Sequence, residues 1–214
     1  MLALYGHLFS SYTWKALIPL YANGTPFEFR DVSPDHPDNA AFVQAAHPSG
    51  KFPVLVDGHT TIIESTAIIE YLALKYPDSN LIPADPAESV KTRMLDRVFD
   101  NYVMGIMQAG VVEWITHPGN PDPAVIEPIH AGVRRSYAWL ETWLGENTLP
   151  PHVSLVTCAA APSLFYADWI ERIPEGSRLA ALRAELLALP EVSRCVEDAR
   201  PFRSYFPPGA PDRD

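Results

Sequence analysis

The sequence predicts an α/β half followed by an all-helical half. Before residue 77, short runs with the two-residue alternation of strands take turns with helical periods, whereas from residue 87 onward only helical periods recur. The stretch Pro77–Pro86 between them holds three prolines and has no helical period, which is typical of a linker. Alternating strands and helices indicate a mixed sheet covered by helices. We therefore expect an α/β domain over residues 1–79 and an all-helical domain over residues 86–214.

The first half contains four predicted strands and three predicted helices. In chain order they are strand Leu2–Gly6, helix Trp14–Asn23, strand Pro26–Val32, a short helical or irregular piece Asn39–Ala46, strands Pro53–Val56 and Thr60–Ile63, and helix Ser65–Tyr76. Gly24 is a typical stop for the first helix, and Pro19 inside that helix is expected to kink or shorten it. Asp57 and Gly58 join the last two strands as a hairpin turn.

The second half is expected to form five helices. They are predicted over Ala87–Thr116, Asp122–Leu144, Ser154–Ile173, Ser177–Leu189 and Glu191–Ala199. His117-Pro118-Gly119 separates the first two of them. The proline-rich tail Pro207–Pro211 is expected to be loose.

Composition excludes several classes of function. The chain has 214 residues, 47% of them hydrophobic, which is enough for a core without disulfide staples. A net charge of −10 argues against binding to nucleic acid or to an anionic membrane surface. No apolar run approaches the roughly 18 residues of a membrane helix, and residues 1–14 lack the basic start of a secretory signal. Cys158 and Cys195 are the only cysteines, so we expect a cytoplasmic protein without a disulfide scaffold or a metal cluster.

The first motif with possible chemistry is Gly50–Val56. A proline that opens a strand after a polar loop, as Pro53 does, can follow a cis peptide bond. The N–H and C=O of the preceding residue then face outward and can pair with an extended peptide. The alternative is an ordinary trans proline at the start of an edge strand.

The second motif is Ile63–Thr66 at the front of a predicted helix. Helix N-termini attract carboxylates, because free N–H groups and the helix dipole both point there. Glu64 beside this N-terminus can hold an ammonium group, so that both charged ends of an amino acid would be met. The alternative is a simple helix cap made by Ser65.

The third motif is Phe9–Lys15, directly after the first strand. Three adjacent hydroxyl residues, Ser10, Ser11 and Tyr12, are followed by Thr13 at the start of a helix. They serve either as helix caps or as hydroxyl groups aimed at a ligand above the sheet edge, where ligands of α/β proteins lie.

Together these stretches resemble the glutathione S-transferase family. The resemblance rests on Leu4-Tyr5-Gly6 with Ser10 and Lys15, on Gly50–Leu55 and on Glu64–Leu72, in that order, and Ala161–Trp169 resembles bacterial members. It covers essentially the whole chain. It implies a thioredoxin-like α/β domain followed by an all-α domain, usually as a homodimer.

The resemblance also implies that glutathione is the cosubstrate, and it assigns residues to it. The backbone of Phe52, before a cis Pro53, would pair with the cysteinyl unit of glutathione. Glu64 and Ser65 would hold the γ-glutamyl end, and Lys51 is a candidate for a polar contact with the tripeptide.

Ser10 is the residue that would donate a hydrogen bond to the glutathione sulfur. It precedes Lys15 by five residues, as in the serine-type members, while Ser11 and Tyr12 remain the alternatives. A thiol with a pKa of about 8.5 is only a few per cent ionised at pH 7. A hydrogen bond to a charged group contributes about 1.5–3 kcal/mol, which lowers the pKa by roughly 1–2 units. One hydroxyl group is therefore enough to ionise about half of the thiol.

The function expected from this resemblance is detoxification by a glutathione transferase that attacks a small apolar electrophile. The resemblance implies that the first long helix borders the electrophile pocket, which makes Tyr102, Met104, Met107, Gln108 and Val111 candidates to line it. The alternative for each of them is a place in the core or in a dimer contact. The alternatives are an isomerase or a dehalogenase that uses the same thiolate, and a binding protein without catalysis. The stretch Ser10–Lys15 also resembles the zeta class, whose members isomerise maleylacetoacetate, but that class has Cys at Tyr12, Ser at Thr13, Arg at Lys15 and Gln at Glu64.

Overall fold

The computed structural model describes all 214 residues, and the first part of the chain forms a four-stranded mixed sheet. The strands are β1 (Leu2–Gly6), β2 (Phe27–Asp31), β3 (Val54–Asp57) and β4 (Thr60–Ile63), in the spatial order β2-β1-β3-β4. β1 pairs in parallel with β2 and antiparallel with β3, and β4 pairs antiparallel with β3. With its flanking helices, this sheet confirms the expected thioredoxin-like half.

Three helices accompany the sheet: α1 (Ser11–Ala22), α2 (Pro37–Ala46) and α3 (Ser65–Lys75). α1 begins three residues earlier than predicted, because the side chain of Ser10 caps it. The expectation that Pro19 shortens α1 is wrong, since the helix continues through this proline to Ala22. The segment Asn39–Ala46, which was expected to be helical or irregular, belongs to the regular helix α2. Pro37 lies in the first turn of this helix, where a missing backbone N–H costs no hydrogen bond.

The second part of the chain is helical, as expected. Its helices are α4 (Pro86–Val98), α5 (Gly105–Thr116), α6 (Pro123–Trp143), α7 (Leu155–Ile170), α8 (Arg178–Leu187) and α9 (Pro190–Ala199). The predicted single helix Ala87–Thr116 is interrupted by a π-helical segment, Phe99–Met104, which joins α4 to α5. A π turn takes one residue more than an α turn, so the helix faces before and after it are out of phase.

One hydrophobic core runs through both halves. α7 is the central helix, with every residue from Leu155 to Asp168 buried, and it packs against α1, α4 and α8. Trp14 of α1 is fully buried, and its ring lies 4.9 Å from that of Phe165 on α7, between ring centroids. These contacts pack α1 against the helical half and position its N-terminus.

The C-terminal tail contacts the helical half on both sides of Pro207–Pro211. A 3₁₀ turn (Arg200–Tyr205) leads to Phe206, which is buried against Tyr166 and Trp169. Further along, Arg213 donates hydrogen bonds to the carbonyl oxygen and the carboxylate of Asp168. These contacts attach the tail to the end of α7. No helix in the structure combines the length and hydrophobicity that a bilayer crossing requires.

Candidate active site

A cleft of about 360 Å³ lies between the two halves, at the N-terminus of α1. On one side it is lined by Ser10–Tyr12 and by Gly50–Phe52, a surface that we call the polar wall. The other side, the apolar wall, consists of Phe9, Met107, Gln108, Val111, Val112, Ile115, Tyr166, Tyr205, Phe206 and Pro207. A larger surface cavity of about 590 Å³, beside α4 and the end of α6, contains none of the predicted site residues. The cleft is therefore the candidate site.

Ser10 occupies the N-cap position of α1 and also borders the cleft. Its Oγ accepts a hydrogen bond of 3.3 Å from the backbone N–H of Thr13. Because capping uses only a lone pair, the hydroxyl proton of Ser10 stays available to a second partner. The N-terminus of a helix carries partial positive charge, so an anion held by this hydroxyl would also be stabilised by α1.

Ser11 and Tyr12, the two alternatives to Ser10, also line the cleft. Ser11 is the first residue of α1 and is largely buried. Burial raises the pKa of Tyr12 to about 12, with the charges of Asp100 and Glu64 adding to the effect. The Tyr12 phenol is thus a neutral hydrogen-bond donor across the physiological range of pH.

The loop before β3 supplies the second part of the polar wall. The peptide bond between Phe52 and Pro53 is cis, and the backbone N–H and C=O of Phe52 form no hydrogen bond within the chain. Lys51 is exposed and is the only charged side chain that lines the cleft. The wall therefore offers one cation and a free backbone donor and acceptor.

Glu64 and Ser65 stand next to this loop at the start of α3. Residue Val54 pairs with Ile63, so the same antiparallel register sets Pro53 opposite Glu64. Glu64 is the N-cap residue, with a φ of 70°, and no side chain caps the helix. The interpretation of Ser65 as a simple cap is therefore wrong, since Ser65 is the first residue inside the helix. Pro53, Glu64 and Ser65 border the polar wall without lining the cleft itself.

The apolar wall agrees only partly with the residues expected on the first long helix. Met107, Gln108 and Val111 line the cleft, whereas Met104 is buried in the core and Tyr102 is exposed elsewhere. Tyr102 and Met104 lie within the π segment, where the helical phase differs from that of α5. Val112 and Ile115 were missed, although their spacing from Gln108 and Val111 continues the same face. Nothing local in the sequence indicates that Tyr205–Pro207 complete the wall.

A buried ion cluster beneath the polar wall joins the two halves and was not foreseen. The Nζ of Lys15 lies 2.8 Å from Oγ1 of Thr66 and 2.5 Å from carboxylate oxygens of both Asp96 and Asp100. Burial raises the pKa of Asp100, an effect that the charge of Lys15 opposes. The cluster ties α1 and α3 to α4 and the π segment, and so sets the distance between the two walls.

No cysteine lines this cleft. Both cysteines are buried, and burial raises the pKa of the Cys158 and Cys195 thiols above their ordinary value. No group of three or more His, Cys, Asp or Glu side chains is placed to hold a metal ion. A thiol nucleophile at the cleft would have to come with a ligand.

Comparison with known proteins agrees with this geometry. Residues 4–80 match the family described as "Glutathione S-transferase, N-terminal domain". The uncharacterized GST-like protein YibF of Escherichia coli is 31% identical over 172 residues, which are 78% of this chain and 82% of that protein. The chain belongs to the glutathione S-transferase family.

Two further members of the family show how far the likeness extends. A probable maleylacetoacetate isomerase of Vibrio cholerae is 28% identical over 94% of this chain and 97% of its own length. The crystal structure of a glutathione S-transferase from Methylobacterium radiotolerans in complex with glutathione sulfonate is 26% identical. It superposes with a TM-score of 0.72 over 91% of this chain and 94% of that chain. The whole chain, not only its α/β half, therefore has the transferase architecture.

Proposed function

We propose that this chain is a glutathione transferase that ionises the thiol of glutathione with the Ser10 hydroxyl and adds it to a small apolar electrophile. The observation that carries the proposal is the cleft, which opposes a polar wall at a helix N-terminus to an apolar wall from the helical half. The cytoplasm, where glutathione buffers the thiol pool, is the compartment that this function needs. Detoxification is the role that such chemistry would serve.

The polar wall and the residues beside it suit the three parts of glutathione. The free backbone N–H and C=O of Phe52 would pair with the cysteinyl unit as an added half-strand would. The uncapped first turn of α3, including Ser65, would receive the α-carboxylate of the γ-glutamyl unit, and Glu64 its ammonium. Lys51 would meet the remaining carboxylate, at the glycyl end. These local charges matter because the net charge of −10 repels an anionic tripeptide.

The apolar wall supports a neutral electrophile as second substrate. Gln108 is its only side chain with an amide group, and no charged side chain belongs to it. The aromatic residues Phe9, Tyr166 and Phe206 offer flat apolar surface for a ring. Held against this wall, an activated aryl halide would lose halide as its carbon bonds to the glutathione sulfur.

A glutathione-dependent isomerase is the second candidate, since the similar Vibrio cholerae protein is named a probable maleylacetoacetate isomerase. The substrate in that name carries carboxylates, and Lys51 is the only cation at the cleft. If Lys51 binds glutathione, no cation remains at the cleft to bind the carboxylates of such a substrate. Faster turnover of maleylacetoacetate than of a chlorinated nitrobenzene would favour the isomerase.

The test of the transferase uses Ser10→Gly with a chlorinated nitrobenzene at saturating glutathione. Glycine is nearly as good an N-cap as serine, so this change removes the hydroxyl group with little loss of helix stability. We expect the apparent pKa in the pH profile of kcat/KM for the electrophile to rise by about 1–2 units. Ser11→Ala and Tyr12→Phe are the matched controls and should keep the wild-type profile.

An unchanged profile for Ser10→Gly, with a shift in one of the two controls, would transfer the role to that residue. Binding of glutathione by calorimetry without turnover of varied electrophiles or of maleylacetoacetate would indicate a binding protein of the same fold instead. Absence of any heat of binding at millimolar glutathione would overturn the proposal.

We also propose that the protein is a homodimer. The exposed faces of α3 and α4 carry large apolar side chains, Leu74, Val90 and Met94, which a second copy of the chain would cover. Sedimentation at micromolar concentration should give twice the monomer mass, and Met94→Glu should give the monomer. A monomeric wild type would contradict this proposal without affecting the chemistry of the cleft.

A further inference from the structure

His47 joins the loop that leads into the polar wall to the residue at the start of α3. It follows the last residue of α2, and its carbonyl oxygen accepts a hydrogen bond of 2.9 Å from the N–H of Gly50. Its imidazole is largely buried, although it belongs to a surface turn. The turn 47–50 is thus closed on itself directly before Lys51 and Phe52.

The protonation of the ring follows from its neighbours. The backbone N–H of Ser49 donates to Nδ1 of His47 at 3.0 Å. Because a backbone N–H can only donate, Nδ1 carries no proton and the ring proton lies on Nε2. Nε2 is 3.3 Å from Oε1 of Glu64, so it donates to that carboxylate. One imidazole therefore bonds to two segments that come from different parts of the chain.

We infer that His47 is a positioning residue, which holds the Glu64 carboxylate at a fixed distance from the loop Gly50–Phe52. The inference rests on the proposed function, in which these two places bind different parts of one tripeptide. The side chain of Glu64 is 71% exposed, and His47 is its only partner. His47 occupies Oε1 and leaves Oε2 for the ammonium group. A carboxylate that is already oriented loses less side-chain freedom when the ligand binds.

Two substitutions of His47 test its two hydrogen bonds, to Ser49 and to Glu64, one at a time. In His47→Asn, the amide oxygen takes the place of Nδ1 and keeps the bond from Ser49, but the side chain does not reach Glu64. In His47→Gln, the amide nitrogen reaches the place of Nε2 and keeps the bond to Glu64. We expect His47→Asn to weaken glutathione binding about three- to tenfold by calorimetry, and His47→Gln to restore most of it. At saturating glutathione, kcat should stay within about twofold of the wild type in both variants, because the thiol is untouched.

N-acetylglutathione, which lacks the ammonium group that faces Glu64, is the second probe. N-acetylglutathione should bind to the wild type and to His47→Asn with the same affinity. If His47→Asn instead loosened the whole loop, the variant would bind both glutathione and N-acetylglutathione more weakly than the wild type, by the same factor. His36→Asn is the matched control: this exposed histidine precedes α2 and its side chain makes no hydrogen bond to the helix. It should leave both affinities unchanged.

Equal affinity of His47→Asn and the wild type for glutathione would overturn the inference, as would an equal loss for both ligands. Failure of His47→Gln to recover affinity, with an unchanged melting temperature, would also overturn it. Failure of the proposed function is recognised separately, since the wild type itself would then bind no glutathione.

Discussion

The two walls of the cleft are built in different ways. The polar wall comes from the loop after β1, the first turn of α1 and the loop after α2, and it presents backbone groups, three hydroxyl groups and one cation. Apart from Phe9, which follows β1, the apolar wall comes from α5, α7 and the C-terminal tail, and its side chains meet because the helices pack. Local turns and helix ends thus position the first wall, and long-range contacts position the second. Variants should accordingly separate the binding of glutathione from the binding of the electrophile.

The largest effect is expected where both walls depend on the same contact. Lys15→Met removes the buried cation that contacts both Asp96 and Asp100 and leaves only Arg97, 3.6 Å from Asp96, so we expect a loss of about 3–5 kcal/mol in the free energy of unfolding by urea. The charge of Lys15 lowers the pKa of Asp100, which burial raises, so its removal raises that pKa further. A carboxyl group whose pKa is raised by folding contributes stability below its unfolded pKa and loses it as the pH rises through the folded pKa. The loss of stability of Lys15→Met relative to the wild type should therefore be smallest at acid pH and should grow toward neutral pH. A constant deficit across pH would contradict this account.

Removal of the tail tests the apolar wall alone. A chain that ends at Pro208 loses the bonds of Arg213 to Asp168, and we expect it to be about 2 kcal/mol less stable. Tyr205–Pro207 then lose their anchor, so KM for the electrophile should rise several-fold while the glutathione dissociation constant stays the same. Arg172→Ala breaks only an exposed ion pair with Glu175 and should change stability by less than about 0.5 kcal/mol. An equal loss of affinity for both substrates would mean that the walls are not independent.

Glu64→Gln tests the region beside the polar wall. The amide keeps an acceptor for His47 but removes the charge that faces the ammonium group, so we expect the glutathione dissociation constant to rise about three- to tenfold. Because this side chain is largely exposed, the difference between variant and wild type should shrink at high salt. KM for the electrophile should not change. A loss of affinity that is independent of salt would point to altered loop geometry instead of charge.

The smallest effect is expected at the start of α7, the helix that contributes Tyr166 to the apolar wall. Ser154 and Thr157 form a reciprocal capping box, in which each side chain accepts a hydrogen bond from the other residue's backbone N–H. Thr157→Val removes one of these bonds and should cost about 1 kcal/mol. Thr157→Asp should be neutral or slightly stabilising, because a carboxylate accepts the same bond and favours the helix dipole. A clear fall in melting temperature for Thr157→Asp would mean that the hydroxyl of Thr157 is needed as a donor.

Local pattern predicted much of the fold. The four strands and most helix boundaries follow from alternation, helical period, and turn residues such as Asp57-Gly58, which depend on neighbours within a few residues. The same reasoning failed at Pro19 and at the π segment, because packing against α7 and the rest of the core overrides local preference there. Site residues remain predictions, although the structure gathers Ser10, Lys51 and Phe52 at one cleft.

The sequence by itself determined the order of elements, the family resemblance, and the segments that would hold the tripeptide, since each depends on residues close together in the chain. Only the tertiary structure decided which long-range hydrogen bonds and ion pairs hold those segments in place. Lys15 meets Asp100 across 85 residues, Asp168 meets Arg213 across 45, and His47 meets Glu64 across 17. Pairings over such distances leave no periodic trace in a single sequence, because either partner alone resembles an ordinary surface charge. They become visible only when the core has brought the helices together.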